Sequence, residues 1–334
     1  MKEVVVFLVV ISEFKSFRDI KPLLWILISS FAFITFASII ENVAKDWDTF
    51  YRLIPSTSWR QLSEYFFSGY ANKATFYLPF IAAWLLSVKE EKWKKRLGII
   101  TLCFGFILLY IYNSRTAFIS VPIAVLISLL LAERYKFAAC YLLAALLITS
   151  FIITSDAERF SKYRTLADAD TYVSDIGLSG RKGLWLVTFN LIKKRSLTGY
   201  GYGWKKMAWV AKDSELIEPL KKEYPIAYDY FTRQTHMIYG KVNPHNLFLQ
   251  IAFEIGVTGL AVFILLWFTV IHKMITAIRI SKEGEARNFL KCSIGLIVSY
   301  VIINLTNGFW QESYGNMIFL FMAMIFVIHR ESNQ

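Results

Sequence analysis

The chain has 334 residues, 56% of them hydrophobic and 17% aromatic, with a formal net charge of +12 and a mean hydropathy of +0.44. An ordinary water-soluble domain carries fewer apolar and more charged residues, so that class is excluded. The apolar residues come in blocks long enough to cross a bilayer, and the chain reads as an all-α polytopic membrane protein. Its positive charge then reflects basic cytoplasmic loops and headgroup contacts with membrane lipids, with no nucleic-acid partner.

Residues 4–11 (VVVFLVVI) are apolar but fall short of the roughly 20 residues that a span needs. They read as a half-span, an interfacial segment or the remnant of a longer N-terminus. Glu3 and the lack of a small-residue cleavage site speak against a signal peptide. Spans are expected at 22–40, 74–88, 97–113, 116–132 and 137–154, and, after a long polar gap, at 246–271, 291–307 and 315–329. Cys103, Cys140 and Cys292 lie in or beside these runs without CxxC spacing, which gives neither a metal site nor a disulfide framework.

Basic residues orient the spans. If 12–21 is cytoplasmic, the connections carrying Lys89, Lys92, Lys94, Lys95 and Arg96, then Arg134 and Lys136, then Lys273, Arg279, Lys282, Arg287 and Lys291 are cytoplasmic too. The connection 307–316 on the other side has no Lys or Arg. This pattern places residues 155–245 and the turn Asn113-Ser114-Arg115 outside. The chain thus divides into N-terminal transmembrane helices (1–154), an outer loop domain (155–245) and C-terminal transmembrane helices (246–334).

The outer loop holds 15 basic and 10 acidic residues, and loops of such length usually carry function. Ser179 is a candidate cap for a helix beginning near Arg181. In KGLWLVTFNLIKKR, Trp185, Phe189 and Ile192 recur at helical spacing, and Lys193, Lys194 and Arg195 suit its C-terminal end. An amphipathic helix lying on the bilayer or against the span ends is expected. GYGYGW (199–204) lacks the preceding strand and spacing of a nucleotide fingerprint and reads as a flexible turn with interfacial aromatics. Residues 205–235 are expected to form one or two short helices that cover the site.

Three residues stand out. Arg115 lies at the outer end of a span, where a guanidinium either serves a function or snorkels to headgroups. Arg181 opens a helix, where acidic residues are preferred; it either helps bind an anion at that N-terminus or is an ordinary surface arginine. His245 sits where the long loop enters a span. Alone it is more often structural than catalytic, and His236 is open to both readings. His272 and His329 sit at inner span ends. Together, two guanidiniums and an imidazole suit a diphosphate and a proton transfer: arginine binds phosphate oxygens with a planar fork, and neutral imidazole takes a proton near pH 7. No acidic or histidine cluster has metal-ligand spacing, and two arginines can stabilise a diphosphate leaving group in place of a metal.

Three segments carry a family resemblance: Asn113-Ser-Arg-Thr-Ala-Phe118, SGRKGLWLVTFNLIKKRSLTGYGYGW (179–204) and NPHNLFLQIAFEIGVTGLAVF (243–263). In order and spacing they resemble the bacterial O-antigen ligase and O-antigen polymerase superfamily, over roughly residues 97–330. The resemblance implies a GT-C-type glycosyltransferase bundle with a large periplasmic loop domain in the bacterial inner membrane. It implies transfer of a glycan from undecaprenyl diphosphate to a sugar of the lipid A core, with inversion and without a metal or other cofactor. It carries the two family arginines onto Arg115 and Arg181 and the family's proposed base onto His245. Arg159, Arg233 and Lys241 are weaker candidates for phosphate or core contacts, equally readable as solvated loop charges. Members usually have more spans than are read here at the N-terminus. An O-antigen polymerase, with a second undecaprenyl-linked glycan as acceptor, shares these motifs. A non-enzymatic carrier of lipid-linked oligosaccharide is the rival from another class, and it calls for Gly- or Pro-broken paired spans. Pro79 and Pro122 fall within spans but have no matching partner in the second half.

Overall fold

The computed structural model describes residues 2–45, 70–111, 115–154, 180–234, 242–282, 284–308 and 312–334, and among these it is helical with no strand. The helices are α1 (Lys2–Glu13), α2 (Phe17–Lys45), α3 (Tyr70–Ser87), α4 (Lys92–Ile111), α5 (Arg115–Leu131), α6 (Tyr135–Thr154), α7 (Arg181–Lys194), α8 (Met207–Asp213), α9 (Leu220–Glu223), α10 (Pro225–Thr232), α11 (Leu247–Ile280), α12 (Glu285–Asn304) and α13 (Glu312–Ser332). Each expected span coincides with a helix. Among the described residues Phe17–Ile40, Leu247–Ile280 and Glu285–Asn304 are long and apolar enough to cross a membrane, whereas Thr116–Leu131 and Tyr135–Phe151 are shorter apolar helices. The chain is a polytopic helical membrane protein.

Contacts divide the chain into two compact units. The first comprises Met1–Lys162, Val270–Ile303 and Gln311–Gln334. Its core is aromatic: Phe80 packs on Trp84, Phe289 and Phe321, and Phe17 meets Trp84 and Phe289. Polar groups gather near helix ends. Glu90 accepts the indole N–H groups of Trp25 (3.3 Å) and Trp84 (3.1 Å), and Lys21 pairs with Glu285 at 2.8 Å. The apolar N-terminus is α1, about 18 Å of helix. It lies along α13 through Phe7 against Phe319 and Phe326. The expected loop at 12–21 is shorter than read, because α2 already begins at Phe17.

The second unit comprises Tyr163–Thr269 and Asn304–Trp310. Its core joins Leu184, Val187 and Leu191 of α7 to Met207 and Ala211 of α8, Leu220 of α9, Phe231 of α10 and Phe253 of α11. Burying a Phe such as Phe231 or Phe253 stabilises by roughly 1.5–3 kcal/mol.

Three expectations change here. The helix at 181 has Gly180 at its N-cap with no side-chain cap, and Ser179 lies outside the described residues. Its buried face is Gly183, Leu184, Val187, Thr188, Leu191 and Ile192, whereas Phe189 is 51% exposed. The stripe is rotated because this face packs into the unit's own core. Between 205 and 235 the chain makes α8, α9 and α10, preceded by a 3-10 turn at Trp204–Lys206, more pieces than expected. Pro219 and Pro225 punctuate that stretch, and Pro225 starts α10 at the position where a missing N–H costs nothing.

Candidate active site

The second unit holds His245 in a tightly specified loop. Val242 and Pro244 are buried. The Asn243 side-chain oxygen accepts the backbone N–H of His245 at 2.8 Å, an Asx turn, and His245 itself takes φ 47°, a left-handed conformation rare for a residue with a Cβ. Trp185 of α7 donates its indole N–H to the Pro244 carbonyl at 2.9 Å. Asn246 then caps α11: its side-chain oxygen accepts the Leu249 N–H at 3.0 Å, and its amide nitrogen donates to the Leu305 carbonyl at 3.1 Å. These contacts fix the loop backbone on both sides of the histidine.

The imidazole is half-buried, and its Nε2 lies 3.0 Å from the Tyr230 hydroxyl of α10. Burial pushes the Tyr230 phenol up to about 12, against the pull of the Asn243 backbone N–H and of the Arg181 and Arg233 charges. The phenol is therefore protonated at neutral pH, and it lies in the field of Arg181. Arg181 is placed by a close helix crossing. A Cβ on Gly183 would sit 2.5 Å from the Ala227 Cβ and 2.8 Å from the Tyr224 Cβ, so a glycine lets α7 and α10 touch. Arg181, Tyr230 and His245 thus share one neighbourhood.

Behind the histidine, α11 is broken. Gly256 has φ 74° and ψ 179°, a conformation open essentially to glycine alone. In an unbroken helix the Val257 N–H would bond to the Phe253 carbonyl. Here Val257 N–H donates to the Ser196 carbonyl (2.7 Å), while the Phe253 and Glu254 carbonyls accept the Tyr200 (2.9 Å) and Gly201 (2.7 Å) N–H groups. The Thr258 hydroxyl donates to the Leu197 carbonyl at 2.6 Å. Irregular backbone at such a point is tolerated where freed groups find partners, as these do. The buried Glu254 carboxylate accepts the Gly203 N–H at 2.9 Å and the Gln250 amide at 3.0 Å. Tyr200 stacks on Phe253 with ring centres 5.1 Å apart. The expected flexible turn at 199–204 is therefore a docked strap, and the expected continuous span from 246 is two limbs joined at Gly256.

The other expected residues fall as follows. Arg115 is the first residue of α5, in the first unit. Arg233 is exposed and donates to Asp229 at 2.7 Å. Arg159, Lys241 and His236 lie outside the described residues. Among the described residues no group of three or more His, Cys, Asp or Glu gathers to hold a metal. Tyr230, Trp185, Glu254 and Gly256 were missed as site residues. Gly256 carried a signal, a glycine within an apolar run, but Tyr230 looked no different from Tyr224 and Tyr228.

Residues 99–264 match the family model described as O-antigen ligase. Over this segment the chain is similar to the O-antigen ligase family. The segment contains Arg115, Arg181, Tyr230, His245 and Gly256. A protein of Rickettsia conorii (strain ATCC VR-613 / Malish 7), named a putative polysaccharide ligase, is 27% identical over 146 residues, 42% of this chain and 30% of that protein. A protein of the same name from Rickettsia typhi (strain ATCC VR-144 / Wilmington) is 30% identical over 129 residues, 38% of this chain and 27% of that protein. The alignments span less than a third of either relative's length.

Proposed function

We propose that this chain is a GT-C-type membrane glycosyltransferase of the O-antigen ligase family. In this reading it moves a glycan from undecaprenyl diphosphate to the lipid A-core oligosaccharide on the periplasmic face of the bacterial inner membrane. The observation that carries the reading is the His245 loop, which presents an imidazole in the same neighbourhood as the guanidinium that opens α7. A glycosyl transfer needs both functions: a group that takes the nucleophile's proton and positive charge where the leaving group departs.

The acceptor hydroxyl oxygen attacks the anomeric carbon on the face opposite the diphosphate. Its proton passes to His245. The carbon–oxygen bond to the diphosphate breaks, the bonding pair leaves with the phosphate oxygen, and Arg181 offsets the charge that develops there. In-line attack inverts the anomeric configuration. The role proposed for Arg115, a second contact to the diphosphate, rests on its sequence position within the family segment. Arg233 is a weaker contact because Asp229 already neutralises it; Arg159 and Lys241 remain proposals from sequence alone. The scheme calls on no metal or cofactor.

The test uses purified chain with undecaprenyl-diphosphate glycan, with and without lipid A-core. Product that forms only with the core is the expected result. Longer undecaprenyl-linked chains formed without the core would make the protein a polymerase, and donor binding with no product would favour a carrier.

A further inference from the structure

Tyr230 sits where it decides which imidazole nitrogen of His245 is available. Its oxygen accepts the Asn243 backbone N–H and feels the Arg181 and Arg233 guanidiniums, which polarise the hydroxyl towards donation. An imidazole nitrogen is a better acceptor than a phenol oxygen, so the 3.0 Å contact runs from the phenol O–H to Nε2. We infer that Tyr230 is a positioning residue for His245: it holds the neutral ring with its proton on Nδ1 and keeps the Nε2 lone pair ready for a proton. The inference builds on the proposed role of His245 as base. An Nε2–H tautomer would have nothing to accept the acceptor's proton at that atom, and a freely rotating ring would spend part of its time turned away.

Three observations converge on this geometry. The Asx turn on Asn243 sets the His245 backbone, and the same residue's N–H sets the phenol. The Trp185 bond to Pro244 ties the loop to the helix that begins with Arg181. The ring planes of Tyr230 and His245 are tilted by 52° with centres 5.7 Å apart, so they meet edge-on through the polar atoms rather than by stacking. Among the described residues, the charged groups placed around the pair include Arg181 from α7 and Asp229 and Arg233 at the end of α10, the last two paired to each other. A phenol O–H donated to Nε2 favours the neutral ring. When the acceptor arrives, its hydroxyl takes the phenol's place at Nε2.

The experiment is nitrogen-15 NMR of the full chain labelled at histidine, native and Tyr230→Phe, with His245→Gln to assign the signal, alongside the pH profile of transfer. The native protein is expected to show His245 with a protonated Nδ1 and an unprotonated Nε2, the minor tautomer of a free histidine side chain. Tyr230→Phe is expected to lose that pattern, to slow transfer roughly 2- to 10-fold, the worth of one hydrogen bond, and to move the acid limb of kcat/KM to higher pH. A native Nε2–H tautomer, or a pattern unchanged by Tyr230→Phe, overturns the inference whatever the activity. A tautomer pattern lost in Tyr230→Phe in a protein with no transferase activity supports the positioning geometry and overturns the transferase reading instead.

Discussion

The two compact units use their polar groups differently. In the first, ion pairs such as Lys21–Glu285 and Lys94–Glu91 lie at helix ends beside solvent, the Glu90 carboxyl is enclosed by side-chain donors from Trp25 and Trp84, and the helices pack through stacked rings. In the second, the Glu254 carboxylate is buried, and carbonyls freed by a helix break are consumed by backbone N–H groups from residues 200 and 201. Apolar packing is tolerant because many small contacts share the load. A buried polar network is not, because each unmade bond costs the full desolvation of a group. The second unit therefore fixes a few atoms closely, as the proposed proton-transfer site would need.

The largest effect expected is on chemistry. His245→Ala leaves donor binding close to normal and lowers transfer about 10²- to 10⁴-fold, the range for a lost general base. Single-turnover kinetics with separate donor-binding measurements checks it, and near-normal transfer would remove His245 from the base role. The same substitution should leave the first unit's stability untouched.

Next comes Gly256→Ala. The backbone conformation alone costs about 1–3 kcal/mol for a residue with a Cβ, and the added carbon would lie 2.1 Å from the Leu197 carbonyl oxygen, a backbone atom that cannot turn aside. Gly98→Ala in α4 is the matched control in the first unit. There the added carbon meets the Leu85 Cδ1 at 2.6 Å, the tip of a flexible side chain. Thermal unfolding and proteolysis between residues 196 and 204 should report a large change for Gly256→Ala and a small one for Gly98→Ala. Equal effects would mean that the strap is not held by the break.

This pair of glycines also shows what a sequence reveals. The helices of the first unit were legible because apolar blocks of span length have few other solutions in a membrane protein. Arg181 and His245 were legible as candidates because a cation at a helix start and an imidazole at a span entrance both break local rules. The α11 break was hidden, since its hydrogen-bond partners lie about sixty residues earlier, and an apolar run containing Gly256 reads as one helix. The α7 face differs for a related reason: Trp185, Phe189 and Ile192 follow helical spacing, but of these only Ile192 joins the core, beside Leu184, Val187 and Leu191. Tyr230 depended wholly on the fold, because only the α7–α10 crossing and the return of the chain at Asn243 bring it to His245.

Glu254→Gln tests the buried network at constant shape. It replaces one of the two acceptor oxygens with an amide NH2, which sets a donor against either the Gly203 N–H or the Gln250 amide. A loss of about 1–3 kcal/mol is expected, seen as a lower unfolding temperature together with faster amide exchange at Gly201 and Gly203. Unchanged exchange at those glycines would show that the carboxylate does not hold the strap.

Glu133→Gln should be the smallest effect and marks the other end of the comparison. The Lys291 hydrogen bond and charge hold the Glu133 carboxyl below its ordinary value of 4.5, yet its side chain is 62% exposed. Such a pair contributes little because solvent screens it and two long side chains must be ordered. A lowered carboxylate contributes fully above its unfolded value and loses that contribution as pH falls through its folded one. Native protein and Glu133→Gln should therefore differ slightly in unfolding temperature above about pH 4.5 and converge in more acidic buffer. A difference as large as that of Glu254→Gln, or one that grows as pH falls, would show that the first unit also depends on individual polar contacts.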